Sequence, residues 1–209
     1  MVKLLIFDLD GTLVESNELH WITYSGACRT FKLKTDKKFF YSCLGMQTKD
    51  ILRKNFPGIS EELIDRITHK KWELFEKKIS GIKGYPDVKK AVEALSKKYI
   101  LAVASSTYRK FIELSLRKKG LRKYFRIIVG ADDVKRAKPA PDMLLRVLSK
   151  TGISRSNAVY IGDMIHDYTG AKKAGIKFIH FTQGKAKTKR YRHEFKKFRE
   201  LPKLIQQYF

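Results

Sequence analysis

Lys3-Leu4-Leu5-Ile6-Phe7-Asp8-Leu9-Asp10-Gly11-Thr12 is the stretch from which the rest of the chain can be read. Leu4 to Phe7 form a short apolar run that stops abruptly at two carboxylates and a glycine. Such a run, with β-favouring Ile6 and Phe7, reads as a strand buried on both faces. In open α/β sheets, ligands bind outside the C-terminal ends of the strands. Side chains alternate along an extended chain, so Asp8 and Asp10 point the same way. One such aspartate would be an ordinary turn residue. Two aimed together repel unless a cation or a proton relieves them. They are therefore candidates for a nucleophile, an acid–base group and metal ligands. Gly11 lets the backbone turn directly after the pair.

Downstream, the pattern changes twice. From about Glu15 to Ile79 the apolar residues keep helical spacing, as in His20, Trp21, Tyr24, Ala27 and Phe31, and no strand is evident. Ser60-Glu61-Glu62 reads as a helix start, with a capping side chain and acids in the first turn. From Gly81 onward apolar runs alternate with helical stretches. Tyr99–Ala104, Ile127–Gly130, Ala158–Asp163 and Phe178–Phe181 read as four further strands after the first. Alternation of this kind predicts a parallel sheet covered by helices on both faces. Leu201, Leu204, Ile205 and Tyr208 suggest a short docking helix at the end.

Length and composition narrow the class. The chain has 209 residues and is 43% hydrophobic, enough for a sizeable core. No apolar run approaches the roughly 20 residues needed to span a bilayer, and the N-terminal run lacks the features of a signal peptide. A cytoplasmic protein is expected, and Cys28 and Cys43 read as small buried side chains in a reduced compartment. Lys and Arg number 45 against 21 acids, a formal net charge of +24. That charge attracts polyanions and steers small phosphorylated molecules inward. The basic run Lys185, Lys187, Lys189, Arg190, Arg192, Lys196, Lys197 and Arg199 reads as a solvated face rather than a dedicated polyanion-binding tail. No zinc-finger, helix-turn-helix or ribonucleoprotein motif accompanies it.

The strand ends supply complementary chemistry. The first gives Asp8 and Asp10, and the second gives Ser105 and Ser106 beside a helix start, an anion site. The loop after the third gives Lys138 next to Pro139, and the fourth gives Gly162-Asp163 with Asp167 four residues on. Carboxylates in this number make a hard oxygen site suited to Mg²⁺. A hydroxyl, amide N–H groups and an ammonium make a phosphate cradle. A carboxylate facing a phosphate can attack phosphorus, and a second can protonate the leaving oxygen and then activate water.

Taken in order, Asp8-Leu9-Asp10-Gly11-Thr12, the strand ending at Ser105, Lys138-Pro139 and Gly162-Asp163-Met164-Ile165-His166-Asp167 resemble the four signature motifs of the haloacid dehalogenase superfamily. The resemblance implies an α/β fold with a Rossmann-like parallel sheet in strand order 5-4-1-2-3. It implies a catalytic core at 1–14 and 81–209 and a small all-helical C1 cap at 15–80. By the same resemblance Asp8 is the nucleophile and a metal ligand. Asp10 is the general acid/base and binds Mg²⁺ through its backbone carbonyl. Ser105, Ser106 and Lys138 hold the phosphoryl group, and Asp163 and Asp167 complete and support the metal site. His20 and Thr48, in the cap, are candidate substrate contacts. His166 reads as solvated. Lys49, Lys70 and Lys71 are further cap cations, read as mostly solvated.

The expected function is a Mg²⁺-dependent phosphatase for small phosphomonoesters, similar to phosphoglycolate phosphatases, acting through an aspartyl-phosphate. The alternatives are a phosphosugar mutase of the β-phosphoglucomutase type, or a basic protein acting on or binding nucleic-acid phosphates. The expected partner is a small phosphorylated metabolite, met by a monomer or homodimer with no membrane. Nucleic acid is reached only through a non-specific basic surface.

Overall fold

Leu4–Phe7 form the central strand, β1, and all four residues are buried. Their side chains alternate between two cores, Leu5 and Phe7 on one face and Leu4 and Ile6 on the other. This is why the run is apolar throughout rather than alternating. The computed structural model describes residues 1–186, 188 and 190–209, so Lys187 and Lys189 of the basic run lie outside the described residues.

After β1 come a two-residue strand, β2 (Val14–Glu15), and four helices: α1 (Asn17–Thr30), α2 (Lys37–Ser42), α3 (Thr48–Asn55) and α4 (Glu61–Lys78). The chain returns through β3 (Lys83–Gly84), α5 (Val88–Ser96), β4 (Ile100–Ala104), α6 (Arg109–Lys118) and β5 (Ile127–Val129). It continues with α7 (Asp142–Thr151), β6 (Ala158–Gly162), α8 (Ile165–Ala174), β7 (Lys177–Phe181), β8 (Glu194–Phe195) and α9 (Leu201–Tyr208).

The main sheet is six-stranded and parallel, in the order β5-β4-β1-β6-β7-β8. Counting only the five strands read from the sequence, this is the expected 5-4-1-2-3 order seen from the other edge. The two-residue β8 is additional, because Glu194-Phe195 is too short to leave an apolar signature. The second sheet was not foreseen either: β2 pairs antiparallel with β3 and closes the two crossings into and out of the helical insertion. Phe7 sits level with Val103 of β4 and Ile161 of β6, which brings Asp8, Ser105 and Gly162-Asp163 to one edge of the sheet.

One face of the sheet is covered by α5, α6 and α9 through residues such as Val92, Leu116 and Ile205. The other is covered by α7 and α8 through Leu144, Val147 and Ala171. The helical insertion has its own small core of Tyr24, Cys28, Phe40, Cys43, Leu52 and Ile67. Both cysteines there are buried and free. Ser60 caps α4 by accepting a hydrogen bond from Leu63 N at 3.2 Å. α4 also docks the insertion on the sheet. Trp72 stacks on Phe111 of α6 with ring centroids 4.4 Å apart and planes 11° from parallel, and Phe75 meets the same ring edge-on at 5.8 Å. Among the described residues no helix is long and apolar enough to cross a membrane.

Candidate active site

The loop after β1 is wound around one carbonyl. Leu9 O accepts from the N–H groups of Thr12, Leu13 and Val14, and Gly11 takes φ +81°, where a side chain would be strained. A Cβ at Gly11 would also collide with the Asp163 carboxylate. Asp8 N continues the ladder to Ile161 O at 2.8 Å, which fixes the aspartate against β6.

Asp8 is buried and accepts from Lys138 Nζ at 2.5 Å. The same ammonium lies 2.8 Å from Asp167 Oδ1. Asp167 opens α8 and is locked on every side. The Asp163 and Met164 N–H groups donate to its Oδ2, and the Tyr160 hydroxyl lies 2.9 Å from Oδ1. Asp163 is oriented by Thr12, which donates at 2.8 Å to Oδ1, and by Gln183, which donates at 2.8 Å to Oδ2. His180 Nε2 lies 3.1 Å from the Asp163 carbonyl, and its Nδ1 faces Glu194 of β8.

Oxygen atoms of Asp8, Asp163 and Asp167 all lie within 4.8 Å of one another. Three carboxylates against the single charge of Lys138 leave an excess of two negative charges, which a divalent cation would balance. The carboxyls register that excess. Burial, then Asp167 and Asp10, push Asp8 up to about 7 against the opposing pull of Lys138. Burial, then Asp167 and Asp8, push Asp163 well above the usual carboxylate range. Burial works against the charge on Lys138, but Asp167 and Asp8 outweigh it and hold the ammonium on. Hard, oxygen-only donors in this arrangement fit a divalent metal.

The Asp10 carboxylate does not join that trio. It turns toward the helical insertion and accepts from Ser16 at 2.5 Å, Thr107 at 2.7 Å, Ser105 at 3.2 Å and His20 Nε2 at 2.8 Å. Burial opposes its ionisation, yet these donors outweigh it and hold the carboxyl well below the usual range. With Asp10 ionised, His20 carries its hydrogen on Nε2. That leaves Nδ1 to accept from Lys71 Nζ at 3.1 Å. Lys71 is buried beneath the insertion, over the face of Trp72. Burial pushes its ammonium well below the usual lysine range.

Asp8, Asp10, Lys138, Ser105, Ser106, His20, Thr48 and Lys71 all line one cavity of about 60 Å³ between sheet and insertion. The residues expected at the site therefore come together, but several hydroxyls and rings have other duties. Ser105 contacts Asp10, Ser106 donates to Gly45 O of the insertion at 2.8 Å, and both ring nitrogens of His20 are engaged. Lys49 and Lys70 pair with Asp65 and Glu73, whereas Lys71 departs from the solvated reading altogether. His166 is half-buried, with its ring under Gly45, rather than solvated. Ser16, Thr107, Gln183 and His180 were not foreseen, and Lys71 was named only as a solvated cap cation. For Thr107 a signal existed in the polar run Ser105-Ser106-Thr107; for the others only the folded chain supplies one.

Comparison with known proteins gives the family and the fold. A haloacid dehalogenase-like hydrolase family model matches residues 5–181. Pyrophosphatase PpaX of Listeria innocua is 30% identical over 178 residues, covering 83% of this chain and 80% of that protein. The PpaX of Bacillus velezensis is 30% identical over 187 residues, covering 84% and 81%. Among solved structures, a hydrolase from Pseudomonas syringae superposes with a TM-score of 0.87 at 22% identity, covering 100% of this chain and 99% of that one. A haloacid dehalogenase-like family protein from Streptococcus pneumoniae superposes at 0.83 with 20% identity, covering 98% and 99%.

Proposed function

The chain belongs to the haloacid dehalogenase-like hydrolases, and on that premise we propose that it hydrolyses small, multiply anionic phosphate compounds through an aspartyl-phosphate on Asp8. The observation that carries this reading is the division of labour between two neighbouring aspartates. Asp8 lies against Lys138 within the carboxylate trio, while Asp10 is held apart by His20 and three hydroxyls. The first is placed to attack phosphorus. The second is the acid–base group of this proposal: held ionised, it takes a proton from the water that hydrolyses the acyl phosphate, and it protonates the leaving oxygen in the first step with a proton that the substrate monoanion brings in.

Mg²⁺ held by Asp8, Asp163 and Asp167, with the Asp10 carbonyl, would supply the positive charge that lets two anions approach. Lys138 holds Asp8 in place and adds its own charge to the phosphoryl side. The insertion closes the cavity from above and keeps bulk water from the first step.

The leaving group follows from the cavity. About 60 Å³ is far below the roughly 300–1,000 Å³ of sites for drug-sized ligands, which points to a leaving group of few atoms. Lys71 lines the insertion side of the cavity, and although burial disfavours its charge, an anionic leaving group beside it would hold the proton on, so that group should itself be an anion. Pyrophosphate, the compound in the name of the relatives, and phosphoglycolate both satisfy these demands. The test is phosphate release from a panel of esters and pyrophosphate with Mg²⁺, using Asp8→Asn as the control. Lys71→Met should raise KM for pyrophosphate or phosphoglycolate far more than for p-nitrophenyl phosphate. No release from any member by the folded protein would sink the proposal. Glucose 6-phosphate formed from β-glucose 1-phosphate would replace it with the mutase reading.

A further inference from the structure

Beyond β7 the chain folds back through Arg190–His193, adds β8 to the sheet and ends in α9. Between this segment, α8 and the last two residues lies a groove of about 450 Å³, separate from the catalytic cavity. It is built from rings and cations. Tyr168, Phe178 and Tyr191 form one cluster, with centroids 5.2 to 5.7 Å apart. His193, Tyr208 and Phe209 form a second, with His193 5.0 and 4.8 Å from the other two rings. Lys172, Lys177, Arg190 and Arg192 line the same groove, and all four are exposed. Among the described residues no acidic side chain lines it. The resulting positive field acts on its neighbours: burial first, then Arg192 and Lys177, push the His193 imidazole down.

Each half of this composition excludes a simpler occupant. An apolar ligand has no use for four cations with no acidic side chain among them. Phe178 belongs to the core beneath, with Tyr168 and Tyr191 packed on it, but a compact anion such as phosphate has no use for the rings at the rim, of which Tyr208 stands 54% exposed. Flat aromatic surface beside a line of cations suits a chain that alternates flat bases with phosphates. The net charge of +24 adds a sequence-independent attraction for such a polymer.

We propose that this groove binds single-stranded nucleic acid, with a base stacked among the rings at the C-terminus and the flanking phosphates on Arg190, Arg192, Lys172 and Lys177. The site is independent of phosphate hydrolysis, and its occupant needs no terminal phosphate.

The test uses the full chain and a fluorescein-labelled oligothymidylate with a free 5′ hydroxyl, so that the catalytic cavity meets no monoester. Binding is followed by fluorescence anisotropy across a salt series. Tyr208→Ala should weaken binding by about five- to 150-fold, the effect of losing one base–ring stack. Arg190→Ala with Arg192→Ala should flatten the slope of log Kobs against log salt by about 1.4, from about 0.7 per phosphate contact on a single strand. Lys118→Ala with Lys123→Ala, on the opposite edge near β5, should do neither. The substituted side chains are exposed, so folding is not at stake, and phosphate release should stay at the wild-type rate. Equal weakening by both double variants, with no effect of Tyr208→Ala, would reduce the binding to overall charge and overturn the proposal. Full displacement of the oligonucleotide by thymidine monophosphate would keep the site but assign it to free nucleotides; displacement only by strands assigns it to the polymer.

Discussion

Asparagine in place of Asp8 should make the metal-free protein more stable while abolishing its activity. Burial, with Asp167 and Asp10, pushes the Asp8 carboxyl from 3.8 up to about 7. A pKa raised on folding favours the protonated acid. Its contribution to stability is complete below the unfolded value of 3.8 and is lost as pH rises through 3.8 toward 7. At pH 8 nearly the whole interval from 3.8 to 7 has been crossed. At about 1.36 kcal/mol per pH unit the loss is about 4 kcal/mol. At pH 5 only the interval from 3.8 upward to 5 counts, and the loss is about 2 kcal/mol. Asparagine keeps the shape of the neutral acid and cannot ionise. A chain of this size moves about 2–4 °C per kcal/mol. Asp8→Asn should therefore melt about 8–16 °C above the wild type at pH 8 and about 4–8 °C above it at pH 5, in chelator, followed by circular dichroism. Mg²⁺ at pH 8 should raise the wild-type Tm more than that of the variant, because the cation relieves the same repulsion. A variant no more stable than the wild type at pH 8, or a gap that widens toward pH 5, would refute the placement of Asp8 as a buried, charge-crowded carboxylate.

Other substitutions probe the rest of the site. Asp10→Asn should still form phosphoenzyme from substrates with good leaving groups but stall its hydrolysis. Rapid quench should then trap an acid-stable phosphate label, and its absence would contradict the acid–base role. Lys138→Met leaves Asp8 and Asp167 buried without their counter-charge, and should cost about 3–5 kcal/mol in urea unfolding of the metal-free protein. Gly11→Ala sets a side chain at φ +81° against the Asp163 carboxylate, so kcat should fall about 100-fold while the circular dichroism spectrum is kept. Trp72→Ala removes the ring stacked on Phe111 and should lower the Tm through a loss of about 3–5 kcal/mol.

The legible and the illegible parts of this chain differ in physical range. The strands and the ends of β1, β4 and β6 could be read because each apolar run is continuous in sequence and stops at its own polar residue, whereas their order across the sheet came only from the family resemblance. Asp8, Lys138, Asp163 and Asp167 could be named for the same reason: their types alone suit a phosphate and a cation, and the fold needs only to bring strand ends together. β8 was missed because two residues carry no period. Gln183 and His180 were missed because they act on Asp163 through one amide and one carbonyl contact, which leave no pattern of residue types. Lys71 is the sharpest case. In His69-Lys70-Lys71 it stands beside another lysine in a chain with 45 basic residues, and solvation is the sound expectation for any one of them. Helical geometry then separates the neighbours: Lys70 turns outward to Glu73, and Lys71 turns inward onto His20 and the Trp72 ring. The same side chain is inert in water and informative when buried, because only burial removes the water that would otherwise satisfy its charge. Burial of Lys71 depends on Trp72 meeting Phe111 across the sheet–insertion boundary, a contact between residues 39 positions apart that no local reading of either segment contains.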